Sequence, residues 1–173
     1  MNDAMSQSRA DAYNRKMQNI VTCLGYNNRA EEAVNFYVSV IKNSKVVSVA
    51  RAGEGTPLPP GAVLAISFVL DGQEFLAING GPPFSFSIGT SIMVKCDTQA
   101  EIDRLWEKLS EGGQKIECGW VTDQFGLAWQ IVPAKLGEWM SAGNPAKTQA
   151  VMKEVMKMKK LEIATLQRAY DAA

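Results

Sequence analysis

Cys23 is the residue of this sequence with the most chemical promise, because a thiol that loses its proton becomes a nucleophile and a metal ligand. Losing it takes a base or a cationic neighbour, and the 173 residues contain no histidine. That one absence removes the Ser-His-Asp and Cys-His nucleophile systems and most zinc-enzyme sites. Without such a partner, Cys23 also reads as a small buried apolar side chain. Glu74 and Glu117 are the carboxylates available for proton transfer, and each equally suits a solvated strand position. Cys118 and Trp120 flank Gly119, so a strand would point both to one side, either core or pocket wall.

The remaining composition excludes more than it suggests. Eighteen basic residues balance eighteen acidic ones, whereas nucleic acid demands a clustered basic face. The run Lys153, Lys157, Lys159, Lys160 reads as a solvated helix face, so no nucleic-acid partner is expected. No stretch reaches the roughly 18 to 20 apolar residues that span a bilayer, so no membrane partner is expected either. Residues 1–19 are polar and mixed in charge, unlike a signal peptide, and are expected to form a flexible extension. Cys23, Cys96 and Cys118 are odd in number and lack a pairing motif, which fits reduced thiols in a cytoplasmic protein.

The elements that would position these residues follow from periodicity. Residues 20–27 suit a strand. Asn28 then starts a helix, with Glu31 placed to complete a capping box and Ala30, Ala33, Val34, Tyr37 and Ile41 forming its buried stripe. Residues 45–52, 63–70 and 74–79 read as strands, the last two joined through Asp71-Gly72-Gln73, a hairpin signal. The second half repeats this order. A strand over 90–96 leads to a helix capped by Thr98 and Glu101, with Ile102, Leu105, Trp106 and Leu109 as its stripe. Strands follow over 114–121 and 127–132 around the turn Asp123-Gln124-Phe125-Gly126, although Ile116–Val121 has alternative pairings. At a spacing of 70, Ala30-Glu31 falls on Ala100-Glu101, Phe36 on Trp106 and Lys45 on Lys115.

These repeats predict an α+β fold of two βαβββ modules over residues 20–133, with a single ferredoxin-like domain as the alternative. Residues 134–173 form a helical tail, broken at Gly143-Asn144-Pro145. Val151, Met152, Val155, Met156 and Met158 give it a soft apolar face that Leu161, Ile163, Leu166 and Tyr170 continue. That face is expected to pack on the domain or on a dimer partner.

The paired modules, with Asp123 to Pro133 (DQFGLAWQIVP), resemble the glyoxalase/bleomycin resistance/dioxygenase, or vicinal-oxygen-chelate, superfamily. Residues 30–37 (AEEAVNFY), 75–81 (FLAINGG), Cys118-Gly119-Trp120 and 158–163 (MKKLEI) resemble its PhnB-like branch. Members of that branch often carry the label 3-demethylubiquinone 3-methyltransferase, yet no glycine-rich strand-to-helix loop for a methyl donor stands in this sequence. Metal enzymes of the superfamily hold their ion with His, Gln or Glu on inner strands. The corresponding positions here are Thr22 or Cys23, Asn79, Ser91 and Gln130. Only Cys23 among them could become an anion, so no metal and no other cofactor is expected.

What the resemblance then implies is an inter-module cleft of hydrogen-bonding side chains with aromatic walls, suited to a small organic ligand. Its candidate lining is Thr22, Cys23, Tyr26, Asn79, Ser91, Cys118, Trp120 and Gln130, with Tyr26 or Trp120 stacking on the ligand. The resemblance also implies a homodimer. Two functions compete, a small-molecule-binding protein and an enzyme (a lyase, isomerase or similar) on a small organic metabolite, metal-independent or with a weak metal site; a structural dimer without catalysis is a third. No acid/base pair with helpful spacing stands out, which favours binding.

Overall fold

The computed structural model describes residues 20–55, 58–81, 84–141 and 143–173. The expected extension over 1–19 lies outside them. The chain runs β1 (Thr22–Tyr26), α1 (Ala30–Val40), β2 (Lys45–Arg51), β3 (Val63–Leu70) and β4 (Gln73–Asn79), then β5 (Ser91–Cys96), α2 (Gln99–Ser110), β6 (Gln114–Lys115), β7 (Trp120–Thr122) and β8 (Ala128–Pro133). Each half makes a four-stranded mixed sheet with the same wiring, β1-β4-β3-β2 and β5-β8-β7-β6. In both, the first strand runs parallel beside the last. This is the expected pair of βαβββ modules, and the stripes of both helices are buried as read from the sequence. The β3–β4 hairpin turns through Asp71 and Gly72, both at positive φ, as a tight Asp-Gly turn requires. None of the described helices is long and apolar enough to cross a membrane.

Two local expectations fail for tertiary reasons. Asn28 does not cap α1; Arg29 occupies that position without a side-chain bond. Asn79 supplies the cap instead, its Oδ1 accepting from the Ala30 amide at 3.0 Å while its Nδ2 donates to the Val63 carbonyl at 3.0 Å. Parallel pairing places Asn79 beside Tyr26, where β1 hands over to α1, so the cap comes from another strand. At α2 the expected cap forms, with Thr98 Oγ1 accepting from the Glu101 amide. The second failure is the strand over 114–121, which breaks into β6 and β7. Cys118 and Gly119 turn between them at φ 61° and 83°.

The tail explains that turn. Its helices are α3 (Leu136–Ser141), α4 (Pro145–Val155) and α5 (Ile163–Asp171), so it has a second break in addition to the one at Gly143-Asn144-Pro145. Across that break the Met158 and Lys159 carbonyls accept from the Cys118 and Gly119 amides, each at 2.7 Å. Gln99 clamps the next residues, donating to the Leu161 carbonyl and accepting from the Ile163 amide. Val132, Trp139, Val151, Val155, Leu161 and Leu166 form a second small core there.

The modules meet around a buried carboxylate. Asp123 is 3% exposed and accepts from the Phe125 and Leu127 amides, from Trp129 Nε1 at 2.8 Å and from the Tyr37 hydroxyl at 2.9 Å. Tyr26 in turn donates to the Tyr37 hydroxyl at 3.1 Å. Arg104 of α2 also donates to the Val40 carbonyl at the end of α1, at 2.8 Å.

Two substitutions test these joints. Asp123→Ala leaves four buried or half-buried donors without an acceptor and should cost at least about 3 kcal/mol in urea unfolding, whereas loss under about 1 kcal/mol would show that the seam does not depend on it. Gly119→Ala places a Cβ 2.8 Å from the Ile131 carbonyl and 3.1 Å from Leu161, at a backbone angle that disfavours side chains. Limited proteolysis should then release the tail from 134 onward much faster than in the native chain.

Candidate functional site

Each sheet has one face against the helices and one open face. In the first, Leu24, Tyr26, Phe68, Phe75 and Ala77 face the core, while Cys23 pairs in register with Leu76 on the open side. Cys23 is exposed there. Thr22 shares the core-side face but lies at the exposed end of β1. In the second sheet, Met93, Gln130 and Trp120 form one row across β5, β8 and β7. Gln130 Nε2 donates to Ser91 Oγ at 2.8 Å. Met93 is 48% exposed.

The structure therefore brings Ser91, Trp120 and Gln130 together and separates them from the rest. Tyr26 is 4% exposed; Phe86 and Phe125 already flank its ring at 5.2 and 6.4 Å, and burial pushes its hydroxyl's pKa upward. Asn79 spends both ends of its amide on the α1 cap and Val63. Cys118 sits in the turn, its sulfur 3.7 Å from Met156 Sδ, so it does not share a strand face with Trp120. Trp129 points away from Gln130 into the core, its ring 5.2 Å from that of Tyr37.

Asp123 and the linker aromatics were not singled out from sequence. Asp123 reads there only as a turn residue, and nothing local announces that Tyr37, 86 residues away, will seek it. A signal did exist for Phe84 and Phe86, two aromatics in a stretch otherwise rich in Gly, Pro and Ser. Phe84 packs against the glycines at 25 and 80, where any Cβ would collide with its ring. Beside it, a cavity of about 230 Å³ opens between the modules, walled by Tyr26, Phe86 and Phe125 and edged by Arg29 and Gln124. Arg29 lies 4.5 Å over the Phe125 ring and holds Glu32 through two hydrogen bonds, which raise the guanidinium's pKa and lower the carboxyl's. On the open face of the first sheet runs a larger groove of about 390 Å³, with Val47, Ser67 and Leu76 in its lining.

The residues at the superfamily's metal positions do not suit a divalent ion. Ser91 and Gln130 are neutral and bonded to each other, Asn79 is committed, and Cys23 belongs to the other sheet. Among the described residues no three His, Cys, Asp or Glu side chains gather closely enough to hold one. The arrangement can instead offer a ligand amide and hydroxyl hydrogen bonds beside an indole and a thioether.

The thiols differ in reach. Cys96 is 0% exposed and burial pushes it up to about 12, so it stays protonated through the neutral range and gains thiolate only as pH approaches that value. Native protein treated with iodoacetamide at pH 8 should label at Cys23 first, with Cys96 reacting only after unfolding. Labelling of Cys96 ahead of Cys23 would contradict this placement.

Residues 18–132 match the family described as 3-demethylubiquinone-9 3-methyltransferase. Among solved structures, the PhnB protein from Bacillus cereus is 35% identical, with TM-score 0.62, and the match covers 66% of this chain and 99% of that one. The protein PA1353 from Pseudomonas aeruginosa shares the fold at 24% identity and TM-score 0.56, over 67% of this chain and 98% of its own. The fosfomycin resistance protein FosX from Mesorhizobium loti also matches, at 12% identity and TM-score 0.47, over 66% and 90%. No curated protein matched.

Proposed function

Because the chain belongs to the 3-demethylubiquinone-9 3-methyltransferase family, the PhnB-like part of the glyoxalase superfamily, we propose that it is a small-molecule-binding protein that works without a metal. Its ligand lies in a cleft between a first-module sheet and a second-module sheet. The observation that carries this reading is the Gln130–Ser91 pair beside Trp120 and Met93 on an uncovered sheet face. Such a surface presents one donor-acceptor pair and an aromatic wall, the usual composition of an organic-ligand site. Neutral amide and hydroxyl oxygens compensate the charge of a divalent ion poorly. The family's description names methyl transfer, but both strand-to-helix links, at 27–29 and 97–98, are short and lack glycine, so neither forms a glycine-rich cradle for a methyl donor.

The cleft takes two copies of the chain to complete. Tyr37, Asp123 and Trp129 turn the core-side faces of both modules toward each other. The open faces stay uncovered, with Val47 57% and Met93 48% exposed. A homodimer in which the first sheet of one copy covers the second sheet of the other would bury both. Three thiols without a disulfide suit the cytoplasm.

Melting temperature across a metabolite library identifies the ligand class; a molecule at a hundredfold over its dissociation constant adds about 2.7 kcal/mol to native stability. The stabilisation should fall on Gln130→Ala. Light scattering should give twice the 18.9 kDa chain mass, and elemental analysis of untagged protein should find no stoichiometric transition metal. One equivalent of zinc, nickel, iron or manganese that disappears in Gln130→Ala would overturn the metal-free reading, and a monomeric mass at micromolar concentration would overturn the shared cleft.

A further inference from the structure

The two open faces differ in charge. The half-buried acidic residues of the described chain are Glu31, Glu74, Glu101, Asp103 and Glu154. Four of them hold a cation: Arg51 on Glu31, Lys42 on Glu101, Lys160 on Asp103 and Lys157 on Glu154, at 2.6 to 2.9 Å. The Glu74 side chain makes no ion pair or hydrogen bond with any described residue. It stands instead at the rim of the groove on the first sheet, beside Val21, Val47 and Leu76. Val21 is 40% and Val47 57% exposed. Across this face, Ser48, Ser67, Leu76 and Cys23 pair in register as one row. The adjoining row is Lys45, Val69 and Glu74. Lys45 is therefore two strand spacings from Glu74, about 10 Å, and the two form no ion pair.

A carboxylate at the edge of an apolar strip, without a protein cation, complements a ligand that is both apolar and positively charged. Water leaves the strip when the apolar body settles on it, and the lower local dielectric strengthens the attraction of the charge for Glu74. The Ser48 and Ser67 hydroxyls offer acceptors for remaining N–H groups. Lys45 at the far end of the row disfavours a second positive charge. We propose that this groove takes an organic monocation, an alkyl or arylalkyl ammonium, with its charge on Glu74 and its body along Val21, Val47 and Leu76. The proposal rests on the reading that the open sheet faces bind ligand, and it names the chemical class for the first of them.

Three probes of one length separate charge from shape: 3-phenylpropylamine, 3-phenylpropanol and 3-phenylpropionate. Each is titrated into the full chain and followed by amide chemical shifts. The amine should move the Val47, Ser48 and Leu76 amides and bind about fivefold tighter than the alcohol at low salt, as a half-exposed ion pair allows, with the margin shrinking as salt is added. The propionate should bind weakest. Glu74→Gln should erase the difference between amine and alcohol while leaving the alcohol unchanged, and Lys45→Met should widen it. Equal binding of amine and alcohol at these amides refutes the cation class and leaves the sheet-face reading standing. An amine affinity unchanged in Glu74→Gln does the same. If no probe shifts any amide on either open face, both fall.

Discussion

A buried carboxylate is costly unless donors surround it, and this fold is arranged around one. Asp123 gathers two amides of its own turn, an indole N–H from the next strand and a hydroxyl from the other module. Burial still outweighs those bonds and raises its pKa above the ordinary 3.8. The sign is informative. A carboxyl raised in the folded state contributes stability below its unfolded pKa and loses it as pH rises through the raised value. Once ionised, the group therefore opposes folding through its charge. What it supplies is geometry, because four donors fixed on one acceptor orient the β7–β8 turn, Trp129 and α1 together. Removing the whole group strands the donors, which costs more than the charge does.

That geometry decides which sheet faces the core leaves open. With Tyr37 reaching from α1 into the second module, the helices and the core-side faces of both sheets share one core. Within a single chain each open face is left partly to solvent, at Val47 on the first and Met93 on the second. The modules share wiring but have diverged on these faces. The second presents a hydrogen-bonded neutral pair beside Trp120; the first presents a thiol, two hydroxyls and an unpaired carboxylate. A cleft assembled from one of each is chemically lopsided, which suits a ligand with two unlike ends.

The fold was legible in the sequence where local chemistry and tertiary demand agree. The stripes on α1 and α2, the Asp-Gly hairpin and the Thr98 cap all satisfy their neighbours by local rules. The α1 cap was misread because its acceptor, Asn79, comes from a parallel strand, a partner that spacing cannot show. The strand over 114–121 failed because distant carbonyls at Met158 and Lys159 claim the Cys118 and Gly119 amides. Of the eight residues expected to line one cleft, Ser91, Trp120 and Gln130 lie together on one sheet face, and the other five lie elsewhere. Tyr26 and Asn79 occupy positions that matter to packing, and a sequence pattern cannot tell a wall of the core from a wall of a cleft.

The tail sharpens the second face. Along β8, Val132 stands on the same open side as Gln130, two residues further on, yet it is 4% exposed because the tail core covers it. The tail core thus closes one end of that face while Gln130, Ser91 and Trp120 stay half-buried. The family model matches through residue 132, and this end wall is built from residues beyond that match, among them the 158–163 segment. Its hold depends on Gly119, where only a residue without a Cβ clears the Ile131 carbonyl and Leu161. In the proposed site, a ligand extended along β8 past Gln130 would meet the tail, a limit on its length in that direction that residues up to 132 alone would not impose.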